Sequence, residues 1–158
     1  MNVKAVITAL FVLAVASTPS FSQQAPPESE KSKQIVVLVE KAAALIDRKG
    51  KSAFSEFRKT GSEWFNGDTY LLSNDMKGME LFNAAFPKLE GTDVSGLKDP
   101  NGKLLVAEMI KVAQSKGSGW VDYMWPKPGQ SQPSQKWTYI KAVTVDGTPA
   151  LVGAGFYP

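Results

Sequence analysis

Hydrophobic positions in the first third of the chain recur with a helical period. From Ser32 onward, Ile35, Leu38, Val39, Ala42, Leu45 and Ile46 fall at spacings of three and four, forming one stripe of a helix that Gly50 should end. Ala53, Phe54 and Phe57 share a face of a second, shorter helix, stopped by Thr60 and Gly61. The pattern then changes. Tyr70 to Ser73 is a short apolar run, Asn74 to Gly78 is turn chemistry, and Met79 to Asn83 can return as the second arm of a hairpin. The stretch between Pro87 and Asn101 is rich in Gly, Asp and Pro and reads as a long surface connection. Asp99-Pro100-Asn101-Gly102 reads as a turn feeding a helix from Lys103 to Ser115, with Leu104, Leu105, Met109 and Val112 inward, and Gly117 and Gly119 end it. Three strands follow, Trp120 to Trp125, Lys136 to Val145 and Ala150 to Tyr157, the first two separated by a loop from Pro126 to Gln135. This order predicts an α+β fold with a mainly antiparallel sheet.

The first residues read as an address. Met1 to Lys4 is a short, once-charged start, and the apolar run Ala5 to Ala16 falls short of the about 20 residues a bilayer span needs. Ser20 and Ser22 supply the small residues of a cleavage site. A signal peptide over residues 1–22 is expected, then a flexible tether over 23–32 and one globular domain over 33–158, exported to the periplasm or secreted. An uncleaved N-terminal anchor is the alternative; no second long apolar segment predicts a membrane span after cleavage.

Composition narrows the chemistry. The chain has neither Cys nor His, which removes thiol nucleophiles, disulfides, the usual zinc sites and every His-based triad. Its net charge of +3 is spread without the basic patch that nucleic acid needs. The nucleophile-elbow pattern is absent, and Asp93, Asp99 and Asn101 lack calcium-loop spacing, so a turn explains them better. The carboxylates Glu80, Glu90, Asp122 and Asp146 read as surface charge, since nothing in the sequence brings them into pairs. The expectation is a protein that is not an enzyme and carries no cofactor or metal.

Four strings occur in order along the C-terminal half: Asp-Pro-Asn-Gly-Lys at 99–103, GSGWVDYMWPKPG at 117–129, Lys136-Trp137-Thr138-Tyr139-Ile140-Lys141, and Gly153-Ala154-Gly155-Phe156-Tyr157. Together they resemble the single Cache domain, the extracellular sensor module of bacterial chemoreceptors and histidine kinases, from about Ile35 to Tyr157. The resemblance implies a PAS-like fold: a long N-terminal helix packed on a mainly antiparallel sheet, with a ligand pocket on the other face. It also implies a short organic acid as ligand and a membrane receptor or histidine kinase as partner. Two departures stand out. Many relatives carry a His-Pro pair after the hairpin, which Glu80 to Pro87 lacks, and the chain stops at Pro158, as expected of a free-standing secreted form.

Strand alternation puts Val121, Tyr123 and Trp125 on one face and Trp120, Asp122 and Met124 on the other. If Trp125 lies near Lys136 across a hairpin, then Tyr123, Trp125, Lys136 and either Thr138 or Tyr139 converge on one patch. Lys136 would offer a charge to a carboxylate, Tyr123 and Tyr139 hydroxyl donors, and Trp125 an apolar wall. The resemblance adds Tyr70 as a lining residue. The alternatives are that these aromatics are core packing and that Lys136 merely begins a surface strand. A pocket filled by its own side chains would favour a ligand-free, protein-interaction partner in the periplasm. The pair Gly153 and Gly155 reads as a close backbone approach or a bulge, not a phosphate loop.

Overall fold

A computed structural model describes residues 25–158; the expected signal peptide, residues 1–22, and the first two tether residues lie outside the described residues. The first helix, α1 (Glu30–Lys49), starts earlier than the apolar stripe does, inside the segment read as a tether. The reason is a reciprocal cap: Ser29 Oγ accepts from the Ser32 backbone N–H at 3.1 Å while the Ser29 N–H donates to Ser32 Oγ at 3.0 Å. Its buried stripe is the predicted one, with Ala43 added. A 3₁₀ turn (Gly50–Ala53) leads to the one-turn helix α2 (Phe54–Phe57).

Six strands follow: β1 (Phe65–Asn66), β2 (Thr69–Asp75), β3 (Glu80–Asn83), β4 (Ser118–Pro126), β5 (Pro133–Val145) and β6 (Thr148–Phe156), with α3 (Leu105–Lys116) between β3 and β4. They form one sheet in the order β1-β2-β6-β5-β4, with β3 also on β2, and the strand pairings are antiparallel. The predicted α+β architecture, a long N-terminal helix on an antiparallel sheet, is the one observed. Asp146 and Gly147, both at positive φ (48° and 83°), make the two-residue turn between β5 and β6, a hairpin geometry that matches strand twist.

Alternation divides the sheet into two apolar layers. Leu71, Trp137, Val145, Ala150, Val152, Ala154 and Phe156 pack with the α1 stripe. Leu72, Val121, Tyr123, Ile140 and Leu151 pack with Leu105, Val106, Met109, Val112 and Ala113 of α3. Asn74 and Asp75 belong to β2 and not to the turn, because the strand continues its pairing with Leu151 and Ala150 of β6. The 87–101 connection is not wholly superficial either: a 3₁₀ turn (Pro87–Leu89) opens it, and Val94 is buried in the α3 layer.

The turn before α3 is tied down by Asp99, 6% exposed. Its Oδ1 accepts from the N–H groups of Asn101 and Lys103, both at 2.9 Å, and its Oδ2 from that of Met124 at 3.0 Å. Both oxygens are thus committed to backbone, as a turn requires. Burial alone would raise its pKa, but these three hydrogen bonds outweigh it and hold the carboxyl below its ordinary value. Asp99→Ala is expected to lower the unfolding free energy by about 2 kcal/mol, the range for charge-assisted hydrogen bonds. A urea midpoint unchanged by this substitution would refute the role.

Candidate ligand site

The α3 face of the sheet carries the polar groups that the apolar layers leave over. On β5, Lys136 and Thr138 share the parity of Ile140 and so point to this face. Lys136 is fully buried, not the surface start of a strand. Its Nζ donates to the Tyr70 hydroxyl at 2.8 Å, the one hydrogen bond its ammonium makes among the described residues. Three tyrosine rings surround it, with centroids at 4.0 Å (Tyr70), 5.5 Å (Tyr157) and 5.8 Å (Tyr123). These rings partly replace water for the cation. Burial still dominates and pulls the Lys136 pKa down to about 7, against the opposing pull of Glu80 and Asp68.

The lysine fits because of Gly155 on β6. A Cβ at that position would lie 2.7 Å from Lys136 Cε, 2.6 Å from Thr138 Oγ1 and 2.5 Å from the Trp137 carbonyl oxygen. The close approach read from the Gly153 and Gly155 pair is therefore real, and at Gly155 it makes the channel through which the Lys136 stem runs.

Beside this cluster is a hollow lined by Tyr70, Tyr123, Trp125, Asn74, Glu80 and Asn83, with Leu72, Leu89, Leu97, Leu105, Val106 and Met109 completing the wall. It offers about 20 Å³ to the centre of a water-sized sphere, room for about one water molecule. Lys136 is not itself in the wall and reaches it through the Tyr70 hydroxyl. Burial pushes the Tyr70 and Tyr123 phenols well up, and that of Tyr157 up to about 12, so all three remain neutral hydroxyl groups at physiological pH. The Tyr123 hydroxyl pairs with Thr138 Oγ1 at 2.9 Å, and that of Tyr157 donates to the Pro126 carbonyl at 2.8 Å.

Tyr70, Tyr123, Trp125 and Lys136 are thus brought together, although the hairpin register is two residues from the one expected: Lys136 faces Tyr123, and Trp125 faces Ser134. Tyr139 is not brought to this group. It is one residue out of phase with Lys136 and Thr138, so its ring packs toward α1, 5.2 Å from Trp120, and its hydroxyl donates to Ser118 Oγ at 3.0 Å.

The sequence reading missed the polar end of the hollow. Glu80, read as surface charge, is 4% exposed. Its Oε2 accepts from Asn74 Nδ2, and its Oε1 from Asn83 Nδ2 at 2.8 Å. Burial raises its pKa to about 7, with the two amides and Lys136 pulling the other way. Glu90 does not pair with it but forms a two-point ion pair with Arg58, at 2.9 and 3.0 Å. The sequence signal for this end was the polar parity of Asn74, had the strand been extended past Ser73.

A family model described as Cache domain matches residues 32–157. Among curated proteins, the methyl-accepting chemotaxis protein McpP of Pseudomonas putida is 36% identical over 93 residues, 59% of this chain and 17% of that protein. The sensor histidine kinase MctS of Rhizobium johnstonii is 29% identical over 93 residues, 59% of this chain and 20% of that protein. The chain therefore spans a fifth or less of the length of these relatives. Among solved structures, a periplasmic sensor domain of a chemotaxis protein superimposes with a TM-score of 0.63 at 33% identity, covering 77% of this chain and 86% of the other. A structure described as the basis for carboxylic acid recognition by a Cache chemosensory domain superimposes with a TM-score of 0.69 at 30% identity, covering 80% and 92%. No helix among the described residues is long and apolar enough to cross a membrane.

Proposed function

Since the chain belongs to the Cache domain family and is a non-catalytic module like the ligand-binding domains of chemoreceptors, we propose that it is an exported domain whose hollow takes a short organic acid. One observation carries this reading: a fully buried lysine, ringed by tyrosines, makes a single hydrogen bond, to the Tyr70 hydroxyl that lines the hollow, and among the described residues has no carboxylate within ion-pair distance. A carboxylate on the Tyr70 hydroxyl, backed by Lys136, supplies the missing counter-charge. Tyr123 and Trp125 provide aromatic walls, and because the hollow as it stands has room for about one water, binding of even acetate requires these walls to move outward. The carboxylic acid recognition of the similar Cache chemosensory domain supports the same class. A membrane receptor or kinase of the kind seen in the relatives would read the bound state.

Thermal-shift and calorimetric titration of the purified protein with acetate, propionate, pyruvate and lactate tests the proposal. Ligand at about 100 times its dissociation constant should add about 2.7 kcal/mol to stability. Lys136→Met, which keeps the shape of the stem, should lower affinity at least 100-fold while the protein stays folded. Equal affinities in the two proteins would discard the carboxylate assignment.

The narrowness of the hollow favours a second reading, a ligand-free domain that acts as a protein-interaction partner in the periplasm. That reading requires no shift with any of these acids, at concentrations far above the millimolar range.

A further inference from the structure

Three tyrosine rings wall in the Lys136 ammonium, and they are not equally fixed. Tyr70 and Tyr123 are buried, on β2 and β4. Tyr70 also packs edge to face on Phe86, with 5.8 Å between centroids, and Tyr123 is held to Thr138 through its hydroxyl. Tyr157 differs. It is partly exposed and follows the last pair of the β5–β6 ladder, Trp137 with Phe156, so its side chain can turn outward without opening a strand pairing. On its outer side is a groove of about 310 Å³ bordered by Phe156, Asp68, Thr69, Asn66 and Lys31. On its inner side is Lys136, 5.5 Å from the ring centroid. The ring thus stands between solvent and the buried amine.

The contacts that hold this ring come chiefly from the start of the β4–β5 connection. The Tyr157 hydroxyl donates to the Pro126 carbonyl at 2.8 Å and interacts with the Tyr70 hydroxyl. Lys127, the next residue, places its Nζ 5.3 Å from the ring centroid and pairs with Asp68 Oδ2 at 3.2 Å. One ammonium therefore bridges the β4–β5 connection to the β1–β2 turn over the ring. The Lys127 and Asp68 side chains are 31% and 46% exposed, so salt screens the pair and its opening costs little.

We propose that Tyr157 is a gate, latched by the Lys127–Asp68 ion pair, through which a small molecule reaches the buried amine of Lys136. The inference concerns access and stands apart from the short-acid reading. This wall gives way more easily than the other two. Turning Tyr157 outward gives up a hydrogen bond whose partners water then satisfies, and an exposed cation on the ring. Displacing Tyr70 or Tyr123 would strand buried partners, Lys136 Nζ or Thr138 Oγ1, inside the layer.

Acetylation of Lys136 by acetic anhydride at pH 9, followed by mass spectrometry, reads the gate without requiring any acid to bind. Loss of the Lys127 charge favours protonation of Lys136 and by itself would slow the reaction, so a faster reaction in Lys127→Met reports exposure. Lys127→Met should raise the Lys136 rate at least threefold and Tyr157→Ala at least tenfold. Raising sodium chloride from about 50 to about 500 mM should raise it at least twofold in wild type and leave Lys127→Met unmoved. Glu40→Gln, which breaks the Lys141–Glu40 ion pair on the other face of the sheet, should leave the rate unchanged. A smaller rise in either gate variant, a wild-type rate indifferent to salt, or an equal rise in Glu40→Gln overturns the gate, and each of these leaves the short-acid reading to its own titration. Lys127 is a surface residue, so its variant and the salt series decide even where Tyr157→Ala folds poorly.

Discussion

Gly155→Ala is expected to destabilise the protein by about 3 kcal/mol or more, the upper end of the range for over-packing a close-packed interior. The Cβ it introduces meets three atoms inside 3.0 Å, and two of them cannot step aside. The Trp137 carbonyl belongs to the β5 backbone, and Thr138 Oγ1 is held by the Tyr123 hydroxyl. The third, Lys136 Cε, is the one that can move, but it moves only by leaving the tyrosine cluster. The substitution therefore strikes the fold and the site together: β5 and β6 part at Thr138–Gly155, and the buried amine is displaced. Gly153→Ala is the internal comparison, because its nearest contacts, 2.9 Å to Ile140 Cγ2 and 3.0 Å to the Tyr139 carbonyl, are looser and include a methyl group that can shift. Urea denaturation should rank Gly155→Ala well below Gly153→Ala. Equal midpoints for the two would mean that the Lys136 channel is not what Gly155 provides.

How much of this was legible in the sequence follows from which contacts are local. The α1 stripe and the parity of Val121, Tyr123 and Trp125 depend on helical and strand periods, and both are observed. Tyr139 lies on the opposite face of β5 from Lys136, an odd number of positions away, a difference that strand alternation gives only once the β4–β5 register is known. Glu80 was beyond reach for another reason. A lone carboxylate on a short strand gives no periodic signal. Its burial comes from partners on separate elements: Asn74 six residues earlier, Asn83 at the end of β3, and the apolar side chains of α3 about 25 residues downstream. Leu89 and Leu97 show the same limit, since a segment rich in Gly, Asp and Pro reads as surface although two of its leucines turn inward to line the hollow. The start of α1 was a missed local signal, as two serines three residues apart satisfy both halves of a capping box.

Stability should pass through a minimum near neutral pH, where most globular proteins are at or near their best. Glu80 has its pKa raised from 4.5 to about 7, so the folded state favours its protonated form. The stability this confers is complete below pH 4.5 and is lost as pH rises through 7. Lys136 has its pKa lowered from 10.5 to about 7, so the folded state favours the neutral amine. Its contribution is complete above pH 10.5 and is lost as pH falls through 7. The two losses meet at the same place. At about 1.4 kcal/mol for each tenfold change in proton affinity between the unfolded and folded states, the acid arm of the trough is on the order of 3 kcal/mol deep and the alkaline arm on the order of 5 kcal/mol. The window is otherwise quiet, since the chain has no histidine, the lowered carboxyls of Asp99 and Asp122 act on the acid side, and the raised tyrosines act only above about pH 10. Urea unfolding at intervals from pH 4.5 to 10 should trace the trough. Lys136→Met should flatten the alkaline arm and Glu80→Gln the acid arm, while the arm that remains deepens, because each group loses the opposite charge that held its pKa nearer the ordinary value. A wild-type profile that is level, or that peaks at pH 7, would show that the two groups are not buried together in the folded protein.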